Sequence, residues 1–373
     1  MLDSFGALRH IAVNKSGNIY VKLGALKDGK GIYYLSDTDG DGKFDKHTGF
    51  SNYPGTGIRI KGNALYASSN SGVYKYQLND KEEVLDTGRA EMIVRGLVDR
   101  GRDNAKAIVV DDENNLYVGV GSYDETCTDA LGRGIVDCSL LDSVGGIWQF
   151  STGKHNQSYA DGIHYASGLK NMVGMDWNET ANSLFAMQHG RGGLNAKFPK
   201  LYTEEQDKAL PAETMYELHK GDNAGWPYIY YDPIQRKKIV APEYDGDGKK
   251  SVDNKYINPV ASFPAHLAPN DLLFYTGNMF PEKYKNGAFI VFHGQSQPLK
   301  KGYMVAFVPF KGGKPAGEWE VFADNFTGVD LGNPKDAFHH RPMGIAQGPD
   351  GALYVADDLK GTIFKITYEG DKK

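Results

Sequence analysis

Residues 343–366 read Met-Gly-Ile-Ala-Gln-Gly-Pro-Asp-Gly-Ala-Leu-Tyr-Val-Ala-Asp-Asp-Leu-Lys-Gly-Thr-Ile-Phe-Lys-Ile, and this unit recurs along the chain. It divides into three short strands. The first ends in a tight turn, Gly-Pro-Asp-Gly, where proline fixes one φ and glycine supplies a positive one. The second is centred on Leu-Tyr-Val, and the third follows another polar turn. The same cadence returns at residues 9–21, 57–69, 105–118 and 174–186, and more loosely at 268–275. Repeats of about 40–50 residues with several strands each are the sequence mark of propeller blades. Six copies predict an all-β, six-bladed β-propeller. A sandwich of similar hairpins gives no reason for a recurrent Leu-Tyr-Val after a recurrent turn.

No stretch keeps a sustained helical period, and the best helix candidate is residues 202–210. It lies in a region of insertions, roughly 195–270, between blade strands. No linker or charge block divides the chain, so residues 1–373 are expected to form one propeller domain. The 46 glycines and 23 tyrosines suit turns and strands. A net charge of −5 without a Lys/Arg cluster argues against a nucleic-acid partner. No apolar run approaches the length of a membrane span.

The first residues enter the first repeat at once, with no signal peptide, which suggests a trimmed chain. Cys127 and Cys138 flank a Gly-rich loop. Without His or Cys partners at metal spacing they make a poor zinc site. A disulfide closing the loop is the favoured reading, with two free thiols as the alternative. A disulfide implies an oxidising compartment, hence a periplasmic or secreted protein. There is no Cys-x-x-Cys-His haem motif.

Asp37, Asp39, Asp41 and Asp45 stand at loop positions 1, 3, 5 and 9, with Gly42 at position 6. That resembles the first part of a calcium loop. Position 12 is Thr48, and an Asp/Gly-rich hairpin tip reads the same way. A structural calcium and a solvated turn both remain open here.

Propellers place ligands at one end of the central channel. Residues 101–106, 166–171 and 338–343 carry polar groups immediately before a repeat, and residues 188–193 follow a blade's second strand. Equivalent positions converge on the axis, so Asp103, Lys170 and Arg341 are expected to meet. A metal-dependent lactonase propeller ranks last, because spacing assembles no convergent Glu, Asn and Asp ligands.

Residues 165–177 (Tyr-Ala-Ser-Gly-Leu-Lys-Asn-Met-Val-Gly-Met-Asp-Trp), 187–191 (Met-Gln-His-Gly-Arg), 210–213 (Leu-Pro-Ala-Glu), 221–228 (Gly-Asp-Asn-Ala-Gly-Trp-Pro-Tyr) and 340–351 fall in the order and repeat context of one family. The chain resembles the glucose/sorbosone dehydrogenase family, soluble six-bladed propellers that oxidise sugars with pyrroloquinoline quinone (PQQ). The resemblance implies a cofactor lying flat at the channel mouth. It implies Ca2+ held by the backbone carbonyls of Gly190 and Arg191, where it polarises the quinone. Lys170 and Asn171 take the place of an Arg-Asn pair on the quinone. Arg341 matches an arginine that binds a cofactor carboxylate, and Lys300 or Lys301 matches a lysine with the same task.

The family's general base is a histidine before the third repeat, and Asp103 stands there. Asp103 is thus the implied catalytic residue, as an ordinary carboxylate a weaker base than histidine. Lys170 lacks the bidentate fork of arginine. Gly192 and the run Gln295-Ser-Gln297 also depart from the family pattern. Two readings follow. One is a PQQ- and calcium-dependent dehydrogenase acting on a sugar or related polyol and passing electrons to a separate acceptor such as a cytochrome. The other is a degenerate propeller that binds a glycan or a protein on the same face.

Overall fold

The computed structural model describes residues 5–252 and 254–370. They form a six-bladed β-propeller. The chain enters each blade at its inner strand, and these are Leu8–Val13, Ile58–Lys61, Ile108–Val110, Met172–Asn178, Pro269–Phe274 and Pro342–Gln347. Each inner strand packs against the next in a closed ring. The other strands of each blade follow outward by antiparallel pairing. Blades one to five have four such strands, blade three adds the short parallel strand Asp222–Asn223, and blade six has three.

The recurrent Leu-Tyr-Val has a direct explanation in this packing. Alternate residues of a strand point to opposite faces, and a blade is covered on both. In blade six, Leu353 and Val355 join the core shared with blade five, whereas Tyr354 and Ala356 join the core shared with blade one. In blade three, Leu116 and Val118 face blade two, and Tyr117 faces blade four. Ile19, Tyr20 and Val21 repeat the arrangement in blade one, as do Leu65 and Tyr66 in blade two. The aliphatic residue packs on the preceding blade and the aromatic on the following one, so each copy of the motif makes half of two interfaces. The turn before it is built as expected. Gly351, at φ 82°, donates its N–H to the Gly348 carbonyl at 2.9 Å.

Ring closure joins blades six and one through a continuous core containing Leu8, Ile11, Tyr354 and Ile363. The Phe5 N–H also donates to the Gly361 carbonyl at 3.2 Å. Blade four carries the irregular excursions. Helices Leu194–Lys197 and Glu204–Ala209 lie between its second and third strands. A hairpin, Ile229–Asp232 with Lys237–Val240, lies between its third and outer strands. The second helix begins at a capping box on Thr203 and Gln206. Leu194, Tyr202, Leu210, Tyr230 and Ile239 give these excursions a small core of their own. Blade strand Glu213–Leu218 runs between the helices and the hairpin and Ala261–Phe263 follows the hairpin, so the 195–270 stretch alternates excursion with blade. Cys127 and Cys138 form a disulfide. No helix among the described residues is long and apolar enough to cross a membrane.

Candidate functional site at the channel mouth

Three loops preceding inner strands meet at one end of the channel. Ala105, Val173 and Met343, from blades three, four and six, form a small buried apolar cluster there. It fixes the polar residues that immediately precede them in sequence.

On one side, the Lys170 ammonium lies 2.8 Å from Asp103 Oδ2 and 3.5 Å from Glu125 Oε1. Asn171 Nδ2 donates to Asp103 Oδ1 at 3.3 Å. Asp103 holds its carboxylate there from a left-handed backbone at φ 46°, a conformation that Asp tolerates better than most residues. Gly121 gives this cluster its space, since a Cβ there would lie 2.4 Å from Asn171 Oδ1 and 2.6 Å from the Asp103 carbonyl oxygen. Asn171 Oδ1 is buried and has no protein partner. Glu125 is the hub of the outer edge. It pairs with Arg102, and its Oε1 accepts the Gly192 N–H at 3.0 Å. Its carbonyl accepts the buried Trp226 Nε1–H at 3.0 Å. Only one residue separates Glu125 from the disulfide-bonded Cys127, so the closed loop anchors it.

Across the mouth, three basic side chains converge on the single carboxylate of Asp358. Arg341 donates from Nε at 2.8 Å and from Nη2 at 3.2 Å. His293 Nε2 lies at 2.9 Å, and Arg9 Nη1 at 3.9 Å. Burial works to raise the Asp358 carboxyl, yet His293 and Arg341 together hold it below the ordinary range. The adjacent Asp357 accepts the Arg341 N–H at 2.7 Å and faces His340 Nδ1 at 3.0 Å.

His189 lies between the two halves. Its Nε2 faces the Pro269 carbonyl at 2.9 Å, which assigns the proton to Nε2. Its Nδ1 lies 3.5 Å from Asn171 Nδ2. Burial pushes its pKa down to about 4, and the charges of Lys170 and His293 act in the same direction. The ring is therefore neutral at physiological pH and works as a strut.

Gly190 and Arg191 form a ledge behind it. The Gly190 N–H donates to Glu213 Oε2 at 2.8 Å. The Arg191 side chain turns away from the mouth and pairs with the buried Glu243 at 2.6 Å. Burial raises the Glu213 carboxyl to about 7, while the N–H groups of Gly190 and Ala268 oppose the rise.

Of the three residues expected to meet, Asp103 and Lys170 are in direct contact, whereas Arg341 belongs to the second cluster, on Asp358. Lys300 stands apart. It is exposed in a hairpin of blade five at φ 50°, and among the described residues nothing joins it to either cluster. Gln295 reaches the Leu331 carbonyl at 2.8 Å. In the hairpin of blade one, Asp37, Asp39 and Asp41 bring carboxylate oxygens within 4.8 Å of one another. Asp45 instead accepts from Thr38, whose N–H lies 2.7 Å away. The sequence motifs give no role to Arg9, Glu125, Glu213, His293 or Asp358. The usable signal for Arg9 and Asp358 was position, since Arg9 lies on an inner strand and Asp358 follows the second strand of blade six.

The TrAA12-like family model matches residues 1–233 and 234–369. An uncharacterised protein of Borreliella burgdorferi is 25% identical over 327 residues, covering 84% of this chain and 75% of that protein. A protein of Hypocrea jecorina named pyrroloquinoline quinone-dependent sugar dehydrogenase is 21% identical over 333 residues, covering 85% of this chain and 74% of its own length. Among solved structures, the calcium structure of a Trichoderma reesei member of Carbohydrate-Active Enzymes Family AA12 superposes with a TM-score of 0.76 at 19% identity, covering 98% of this chain and 93% of that one.

Proposed function

The chain belongs to the TrAA12-like family, and we propose that it oxidises a sugar or related polyol at the channel mouth with PQQ and calcium. The observation that carries this reading is the convergence of Arg9, Arg341 and His293 on one carboxylate, across from Lys170 and Asn171. Two guanidinium groups share one carboxylate there and keep N–H donors for further acceptors. Guanidinium groups suit carboxylates in particular, as on a cofactor that carries several. The orphaned Asn171 Oδ1 is an acceptor with nothing to accept from the protein. The carbonyls of Gly190 and Arg191 are oxygen donors of the kind a hard cation takes. The names of the Hypocrea jecorina relative and of the calcium-containing AA12 structure support the same reading.

The residues present fit the group in kind. Arg9 and Arg341 would hold its carboxylates, Lys170 and Asn171 its quinone edge, and Gly190 and Arg191 the calcium. The chemistry this group supplies when bound is acceptance of a hydride, with the metal as Lewis acid. The remaining task falls to the chain, namely removal of the sugar hydroxyl proton. Asp103 is the group assigned to it. Each of its oxygens already accepts one hydrogen bond and keeps a second lone pair for a substrate hydroxyl. Lys170 and Asn171 fix the carboxylate's orientation. The disulfide supports a periplasmic or secreted location, where a separate acceptor such as a cytochrome would take the electrons.

The test is calorimetry of the purified protein with PQQ and calcium, alongside dye reduction with a panel of sugars. Saturable binding and turnover support the reading; absence of binding at high micromolar PQQ sinks it. The self-contained pairing of Lys170 with Asp103 and Glu125 favours one alternative, a propeller that binds a glycan or a protein on this face without redox chemistry. Sugar binding that is indifferent to PQQ would select it.

A further inference from the structure

The Gly190–Arg191 ledge is gripped from two directions by buried carboxylates on separate elements. Glu213 opens the third strand of blade four and is 3% exposed. Its Oε2 accepts the Gly190 N–H at 2.8 Å, and its Oε1 accepts the Ala268 N–H at 3.4 Å. Ala268 immediately precedes the inner strand of blade five, and the neighbouring Pro269 carbonyl receives His189. One carboxylate therefore ties the turn after the second strand of blade four to the entry of blade five. Glu243 belongs to the excursion after the blade-four hairpin and is 8% exposed. It holds the Arg191 guanidinium at 2.6 Å, with both side chains almost wholly buried.

A buried carboxylate whose acceptors serve only backbone N–H groups is costly to keep unless the fixed backbone matters. Helix ends and sheet ladders satisfy such N–H groups more cheaply. Here the fixed backbone is the Gly190–Arg191 pair, and a glycine otherwise has the freest backbone of any residue. A metal held by backbone carbonyls depends on the peptide planes that aim them, and losing a group that orients a ligand costs roughly 10–100-fold in affinity.

We infer that Glu213 is a positioning residue for the cation site, fixing the Gly190–Arg191 peptide so that its carbonyls face the mouth, with Glu243 securing the same peptide through Arg191. The inference rests on the calcium reading above and adds to it the residue that makes a flexible Gly-x pair into a rigid ledge.

The experiment measures the calcium concentration at which PQQ is half-retained on gel filtration, for the full chain and for Glu213→Gln, Glu213→Asp and Glu213→Ala. Gln keeps an acceptor for Gly190 without the charge. Asp keeps the charge but is too short to reach. Positioning predicts that E213D and E213A raise the half-saturating calcium about tenfold or more, whereas E213Q stays within about threefold of the parent. Thermal melts without calcium or PQQ show which variants fold. If E213A fails to fold, the contrast between E213Q and E213D alone decides. The reverse order, with E213D like the parent and E213Q impaired, means that charge and not position matters, and overturns the inference. Equal calcium requirements in all four proteins overturn it too and leave the calcium reading intact. A parent protein that retains no PQQ at any calcium concentration removes both.

Discussion

The Lys170 ammonium and the Asp103 carboxylate, 67 positions apart in the chain, sit 2.8 Å from each other at the mouth of the propeller channel. The Lys170 side chain is only 7% exposed, and Glu125 is its second carboxylate at 3.5 Å. Removing this cation would leave Asp103 and Glu125 with only the exposed Arg102 as counter-charge. Lys170→Met is expected to lower stability by roughly 3 kcal/mol, the scale for breaking a buried ion pair from one side. Urea denaturation reads this directly, and an unchanged midpoint would show that the pair is solvated and weak.

In the proposed dehydrogenase reading, Asp103 takes the proton of the sugar hydroxyl. Asp103→His is expected to raise turnover in PQQ-loaded protein, because imidazole has a proton affinity closer to working pH. Steady-state kinetics across pH 6 to 9 would show the gain. Its absence in a variant that still retains PQQ would mean that Asp103 does not contact the substrate.

Arg9 and Arg341 share Asp358 and face the same region of the mouth. Alanine at either position is expected to weaken PQQ binding at least tenfold, and alanine at both to abolish retention. Calorimetric titration of the three variants would decide. Full affinity in Arg9→Ala would confine cofactor recognition to Arg341.

On the inner strand of blade four, outside both clusters, the half-buried Asp176 accepts the Phe274 N–H at 2.8 Å. Burial raises its carboxyl to about 6, against the attraction of Arg59. The folded state then holds a proton that the unfolded state has lost. The contribution to stability is full below about pH 4 and disappears as pH rises through 6. Asp176→Asn removes this dependence. It should flatten the stability profile between about pH 4 and 6 and, at pH 7, make the protein more stable by on the order of 2 kcal/mol, allowing for partial solvent access. Chemical denaturation at a series of pH values checks both; parallel curves for parent and variant would contradict it.

Cys127 and Cys138 close a short loop beside Glu125. Replacing both by serine is expected to cost about 2–3 kcal/mol through a freer unfolded chain. The midpoint of urea unfolding would report it, and no shift would show the loop to be held by its other contacts.

Much of this molecule was legible in order. The recurrent Leu-Tyr-Val predicted blades because strands covered on both faces need apolar residues in succession, and Leu353 and Tyr354 do face opposite neighbours. The rule that residues before each inner strand converge located Asp103, Lys170 and Arg341. It could not say what each touches. Arg191 reads as a mouth residue, yet its side chain points back to Glu243, from an excursion some 50 residues on. Lys300 reads as a cofactor ligand, yet it lies exposed on a hairpin outside both clusters.

The number of blades, the strand faces and the clustering of polar loops before the inner strands are all readable from the chain. Each follows from local periodicity or from position within a repeat. The pairings are a product of the folded chain: Lys170 with Asp103 and Glu125, Arg9 with Arg341 through Asp358, and Glu213 with Gly190. These join groups from different blades or from the two ends of an excursion. Their partners are selected by distance and burial in three dimensions, and no spacing along the chain records them.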